Sequence, residues 1–216
     1  MPVKREVPFD QGHFFITFTC YQWLPLIAIT DGYDLFYKWF DILRTNGHFI
    51  TGYVIMPNHV HVTIAFRKTQ KRINKIIGDG KRFIAYEIVL RLKNQGQHDL
   101  LWLLEKAVNK SDKKKGKLHE VWEDSFNWKE CVGTHFTFQK LDYMHNNPCS
   151  GKWQLALHAA LYPHSSARFY LHGEQGAYAV LNFQELLDID LASNSADGES
   201  CKPPTKASAE TRLGNS

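Results

Sequence analysis

A chain of 216 residues, 44% hydrophobic and 13% aromatic, holds enough apolar material for one sizeable core, and its formal net charge is +4. No run approaches the roughly 18 apolar residues of a membrane span, and residues 1–10 are charged without an apolar signal region, so a cytoplasmic protein with no membrane contact is expected. Cys20, Cys131, Cys149 and Cys201 form no C-x-x-C pair, which argues against a cysteine zinc site and for free thiols.

The charge is uneven. Residues 171–200 hold six acids and no Lys or Arg, while residues 1–170 carry a net +8, a balance compatible with a polyanionic partner.

In chain order, residues 13–21 are aromatic and β-branched and predict a first strand. Phe14, Ile16, Phe18 and Cys20 share one face, with Thr17 and Thr19 on the other. Leu35, Phe36, Trp39, Phe40 and Leu43 recur at helical spacing and predict a helix over 31–45, ended by Asn46-Gly47. Residues 48–56 predict a second strand, and Pro57-Asn58 a hairpin turn into a third. From His59 the side chains alternate. Val60, Val62, Ile64 and Phe66 face a core, and His59, His61, Thr63 and Ala65 face the other way. Two imidazoles two apart on a strand stack on one side and can aim at one metal ion. Alone, such a pair is a weak signal and needs a second half.

Residues 71–93 predict a helix with an apolar stripe of Ile73, Ile76, Ile77, Phe83, Ile84 and Ile88. Its basic residues, Lys71, Arg72, Lys75, Lys81, Arg82 and Arg91, form either a solvated surface or a face that tracks phosphates. Residues 94–118 read as an insertion, with a short helix over 100–107 and a mobile basic loop over 110–117. That loop carries Lys110, Lys113, Lys114, Lys115 and Lys117, candidates for holding a polyanion backbone. Residues 121–132 alternate, with Trp122, Phe126 and Trp128 on one face, and predict a fourth strand.

The order strand–helix–strand–strand–helix–strand is that of an α+β, ferredoxin-like (split β-α-β) antiparallel sheet. Helices cover one face and leave the histidine face open. A last helix over 134–148 stops at Pro148. Phe138, Leu141 and His145 fall along one side, and Tyr143 and Asn147, one turn apart, nearly opposite. If this helix crosses the open face, Asn147 completes a site of two imidazoles and an amide oxygen, with Tyr143 beside it. Three N/O ligands with open positions suit Mg²⁺ or Mn²⁺. Composition beyond residue 191 predicts a disordered tail, leaving 1–190 as one domain.

The stretch G-Y-V-I-M-P-N-H-V-H over 52–61, followed by Q-K-L-D-Y-M-H-N-N-P over 139–148, resembles the single-tyrosine HUH transposases, the insertion-sequence enzymes and their REP-associated relatives. N-K-I-I-G over 74–78, K-R-F over 81–83 and Y-P-H-S-S-A-R over 162–168 are similar to further segments of that family. The resemblance spans about residues 9–172. It implies a metal-dependent endonuclease and strand transferase on single-stranded DNA, plain or folded into hairpins, acting through a covalent 5′-phosphotyrosine. His59, His61 and Asn147 take the positions of the metal ligands and Tyr143 that of the nucleophile; family members occur as monomers and as homodimers. Glu123-Asp124 stands where relatives often have Gln-Arg, and Cys149-Ser150 departs from the usual residues after the proline. Competing readings are a rolling-circle replication initiator or relaxase-type nickase, and a non-enzymatic single-strand binder that stacks bases on an open sheet.

Overall fold

The alternation in residues 13–19 builds the strand at the middle of the sheet. In the computed structural model, which describes residues 6–124, 126–151 and 153–193, β1 (Gly12–Thr19) pairs antiparallel with two neighbours. β2 (Phe49–Ile55) and β3 (His59–Phe66) form the predicted hairpin through Pro57-Asn58, closed by Met56 N–H donating to the His59 carbonyl. With β4 (Asn127–Glu130) the sheet order is β2-β3-β1-β4, all antiparallel, the ferredoxin-like order. The register sets Thr17 opposite His61 and Thr19 opposite His59.

One face is covered by helices. After the single turn α1 (Leu26–Ile29), α2 (Tyr33–Thr45) buries Leu35, Phe36, Trp39, Phe40 and Leu43, the five residues that its spacing selects. α3 (Ile73–Asn94) buries Ile73, Ile77, Ile84, Ile88 and Leu92. Both pack on Phe14, Ile16, Phe18, Val60, Val62, Ile64 and Phe66 in one cluster. Each such side chain, fully buried, contributes about 1.5–3 kcal/mol. Gly80 sets the approach of the two helices, because a Cβ there would lie 2.2 Å from Trp39 Nε1.

The second face is covered as well. α6 (Gly133–Asn146) lays Leu141 and Met144 on Phe15, Val54 and Met56, with Tyr162 and Phe183 completing the cluster. The register shift between Ile50 and Gly52 lies under this helix, and a Cβ on Gly52 would stand 2.5 Å from both Leu141 Cδ2 and Met144 Cε. All eight residues of β3 are therefore buried.

Four expectations are corrected. Of 121–132, only β4 is a continuous strand; around Trp122 the pairing is one isolated bridge to Cys20, with Tyr21 N–H donating to the Val121 carbonyl and Glu123 N–H to the Thr19 carbonyl, while the indole packs edge-on against Phe18. The predicted basic loop contains a helical turn, α5 (Lys110–Lys114), which follows α4 (His98–Ala107). Asn109 Oδ1 accepts from Asp112 N–H, and the Asp112 carboxylate pairs with Lys115 and Lys117, so local counter-charge orders the stretch. Of the predicted side of α6, Leu141 and His145 are buried, joined by Thr137 and Met144, whereas Phe138 is exposed, its ring edge-on to Phe183. Leu191, placed in the tail, is tied to the body by Lys68 N–H donating to its carbonyl. The rest of the predicted tail, 194–216, lies outside the described residues. Among the described residues no helix is long and apolar enough to cross a membrane. α7 (Ala167–His172) closes the β2 edge, where Ser166 N–H donates to the Tyr53 carbonyl.

Candidate active site

Period-2 geometry on β3 puts His59 and His61 under α6, with ring centroids 4.9 Å apart. Both are buried, at 6% and 5% exposure. Each has its Nδ1 occupied. Asn58 Oδ1 lies 2.7 Å from His59 Nδ1, and the Asn58 amide NH₂ donates to the Trp23 carbonyl at 3.0 Å. That second bond fixes which end of the amide meets the histidine, so His59 carries its proton on Nδ1 and its lone pair on Nε2. Thr17 Oγ1 lies 2.6 Å from His61 Nδ1 and can hold that ring in the same way. Burial lowers the His59 pKa to about 4, opposed in part by the Asn147 side chain, which favours the protonated ring by accepting from it, and burial with the neighbouring His59 lowers His61 to about 3. Both rings are neutral at pH 7, as ligating imidazoles must be.

α6 supplies the other half. Tyr143 is 54% exposed, and its ring stands edge-on to His61 at 5.4 Å and to Phe15 at 6.2 Å. Phe15 in turn stacks on His61 at 5.4 Å. Asn147 keeps helical angles (φ −54, ψ −45) although Pro148 follows it, and opens the 3-10 turn Asn147–Cys149. Its side-chain NH₂ donates to the Tyr143 carbonyl at 3.1 Å, leaving the amide oxygen for the His59 side. These side chains line a cleft of about 430 Å³ together with Thr17, Thr19, Trp23, Asn127 and Trp153.

The donor set fits a divalent cation. Two neutral, tethered imidazoles converge on one cleft, and among the described residues no group of three His, Cys, Asp or Glu side chains could hold a metal. The Asn147 side-chain amide lines the same cleft and could serve as a further ligand. Such a set leaves positions open for substrate oxygens, as a catalytic site requires and a closed structural site does not.

The structure brings His59, His61, Tyr143 and Asn147 together. It does not bring the predicted basic residues to them. α3 packs on the opposite face of the sheet, where Lys75 and Arg82 both pair with Asp79 at 2.9 Å, Lys81 donates to the Glu123 carbonyl, and Arg91 pairs with Asp34. Lys71, Arg72, Lys113, Lys114 and Lys115 are exposed and do not line the cleft. Sequence reading missed Asn58 and Thr17 as tethers, and it missed Lys140. The Lys140 ammonium lies 5.0 Å from the Phe136 ring, 5.6 Å from Phe15 and 6.0 Å from Tyr143, a cation beside the phenol. The alternation of β1 did put Thr17 and Thr19 on the histidine side, but their pairing partners depend on the register.

Fold and site together define an α+β protein with a ferredoxin-like sheet and a buried histidine pair under a tyrosine-bearing helix. The same fold occurs in the structure of a REP-associated tyrosine transposase bound to a REP hairpin: 16% identity, TM-score 0.54, covering 94% of this chain and all of that one. A candidate transposase from Deinococcus radiodurans R1 overlaps 68% of this chain and 97% of its own, at 16% identity and TM-score 0.33, a likeness too slight to add weight. No protein-family model and no curated protein matches the sequence.

Proposed function

We propose that this chain is a metal-dependent endonuclease and strand transferase for single-stranded DNA, a transposase of the single-tyrosine HUH type. The observation that carries the reading is the convergence of Tyr143 and Asn147, one turn apart on α6, over the tethered pair His59 and His61. The sequence resemblance and the shared fold support it independently.

The chemistry asked of these residues is coherent. The Tyr143 oxygen attacks a backbone phosphorus, the P–O3′ bond breaks, and the 3′ oxygen leaves as a hydroxyl. The 5′-phosphotyrosine keeps the energy of the phosphodiester, so a 3′-OH can reverse the step and join a new end. Mg²⁺ or Mn²⁺ held by His59, His61 and Asn147 would supply Lewis acidity at the scissile phosphate, worth several kcal/mol of transition-state charge. Tyr143 is exposed enough to meet a strand in the cleft, and its edge contacts on Phe15 and His61 limit where the phenol can point. A non-enzymatic binder that stacks bases across a bare sheet is disfavoured, since α6 covers that face. Hairpin DNA is the first substrate form to try, because the REP-associated structure holds one.

Incubating the chain with Mn²⁺ and labelled single strands from the DNA flanking its gene should give a covalent adduct stable to denaturing electrophoresis. Tyr143→Phe should abolish it while leaving DNA binding intact. An adduct persisting at the same gel position in Tyr143→Phe overturns the assignment.

A further inference from the structure

The turn that follows β1 has an unusual backbone. Gln22 (φ 49) and Trp23 (φ 58) are consecutive non-glycine residues in the left-handed region, where a side chain is strained. The turn is nonetheless held at several points. Gln22 N–H donates to Glu123 Oε1 at 2.8 Å, Trp23 N–H donates to the Cys20 carbonyl at 3.0 Å, and the Trp23 carbonyl receives the Asn58 amide. Glu123 is one of the residues that depart from the pattern of the resembling family; here its carboxylate accepts from the backbone of the strained turn.

This backbone leaves an indole exposed. Trp23 is 56% exposed, although burial is the usual fate of so large an apolar ring. Its ring centroid stands 5.6 Å from that of His59 in a T-shaped contact, and it lines the cleft that holds His61, Tyr143 and Asn147. One amide, Asn58, fixes both the tautomer of His59 and the position of the Trp23 carbonyl. The indole and the candidate ligand are thus set relative to each other through a single side chain.

We infer that Trp23 is a nucleobase-stacking residue that seats one base of a single strand at the rim of the cleft, beside the phosphate presented to Tyr143. The inference rests on the proposed reading for its substrate class. Nucleobases offer a flat π-face whatever their sequence, and an exposed indole on a rigid turn is suited to such a face. Asn127 and Trp153 on the same cleft provide a polar edge and a second indole for the strand that enters. Trp23 is a positioning residue in this scheme, acting on where the strand lies and not on the bonds that change.

The test separates stacking from backbone attraction. Fluorescein-labelled (dT)₂₀ and an abasic strand of the same length are titrated, with Mn²⁺ present, into the full chain carrying Tyr143→Phe so that nothing is cut. Trp23→Ala should weaken (dT)₂₀ about ten-fold, within the range found when a stacking aromatic is removed, and leave the abasic strand unchanged. Trp23→Phe should retain most of the affinity. Equal binding of (dT)₂₀ by Trp23→Ala and its parent, an equal loss on both strands, or no preference of the parent for (dT)₂₀ over the abasic strand overturns the inference. If circular dichroism shows Trp23→Ala to be misfolded, Trp23→Gln against Trp23→Phe makes the same comparison: a loss on (dT)₂₀ confined to Gln supports stacking, and equal binding overturns it. The adduct assay with Tyr143 intact reads the catalytic proposal separately, so either can fail alone.

Discussion

The two faces of β3 are equally buried and chemically opposite. On one, Val60, Val62, Ile64 and Phe66 meet α2 and α3 and need only shape and apolar area. On the other, His59 and His61 lie beneath α6, each with its Nδ1 engaged, by Asn58 and by Thr17. His48 supplies the control. It is just as buried, its Nδ1 has no partner, and its ring packs edge-on to Phe66. Neither burial nor a bonded nitrogen alone marks a site, since His145 is equally buried and bonded to Ser166 Oγ; His59 and His61 differ in also lining the cleft.

The largest expected effect is acid sensitivity. Burial holds His48, His59 and His145 at about 4 and His61 at about 3, against an ordinary 6.5. The unfolded chain binds protons from about pH 6.5 downward and the folded one only near 4, so stability rises with pH across that window and is lost on acidification. At roughly 3 kcal/mol per imidazole, to order of magnitude, the protein should unfold before pH 4, followed by circular dichroism. A melting temperature flat from pH 7 to pH 4 contradicts the buried-neutral assignment. Saturating Mn²⁺ at pH 7 should raise the melting temperature by binding only the folded form.

Next comes a deletion confined to the apolar face. Phe18 packs against Phe36, Trp39 and Trp122, and Phe18→Ala should cost about 3–5 kcal/mol in chemical denaturation. Adduct yield per folded molecule should stay near wild type. A specific loss of adduct would mean that the two faces are coupled.

Two close glycine contacts sharpen the contrast. Gly80→Ala collides with Trp39 between α2 and α3, and Gly52→Ala collides with Leu141 and Met144 beneath α6. Each should cost about 1–3 kcal/mol. Only Gly52→Ala should also depress adduct formation, because it lifts the helix that carries Tyr143 and Asn147. Equal adduct yields from the two variants would remove α6 seating from the account.

Smallest on stability and sharpest on the site is the tether. Asn58→Ala should weaken Mn²⁺ binding about 10–100-fold by calorimetric titration, the usual effect of losing the partner that orients a ligating histidine. Unchanged Mn²⁺ affinity would mean that the Asn58 contact does not orient a ligand.

The sequence by itself determined the elements whose signal is local. The stripe of α2 appears as predicted, and β3 sends Val60, Val62, Ile64 and Phe66 to one core cluster as period 2 requires, although the strand is buried on both faces and not half-buried as its pattern alone suggests. The strand–helix order carried the sheet topology, since short connections leave few ways to arrange six elements. Tyr143 and Asn147 shared a face by spacing alone. What tertiary structure decided depends on contacts between distant segments. The register that places Thr17 beside His61 is a β1–β3 property, and the Asn58 bridge to Trp23 spans 35 positions in the chain. The stretch 121–132 alternates like a strand, yet it pairs only at β4 and at an isolated bridge from Trp122 to Cys20, and on α6 Thr137 and Met144 join Leu141 and His145 on the buried side while Phe138 stays exposed. Whether a basic helix lies near the histidines depended on which face of the sheet it covered, and α3 covers the other one. Periodicity encodes which side of an element is apolar; only the packed chain decides what that side meets.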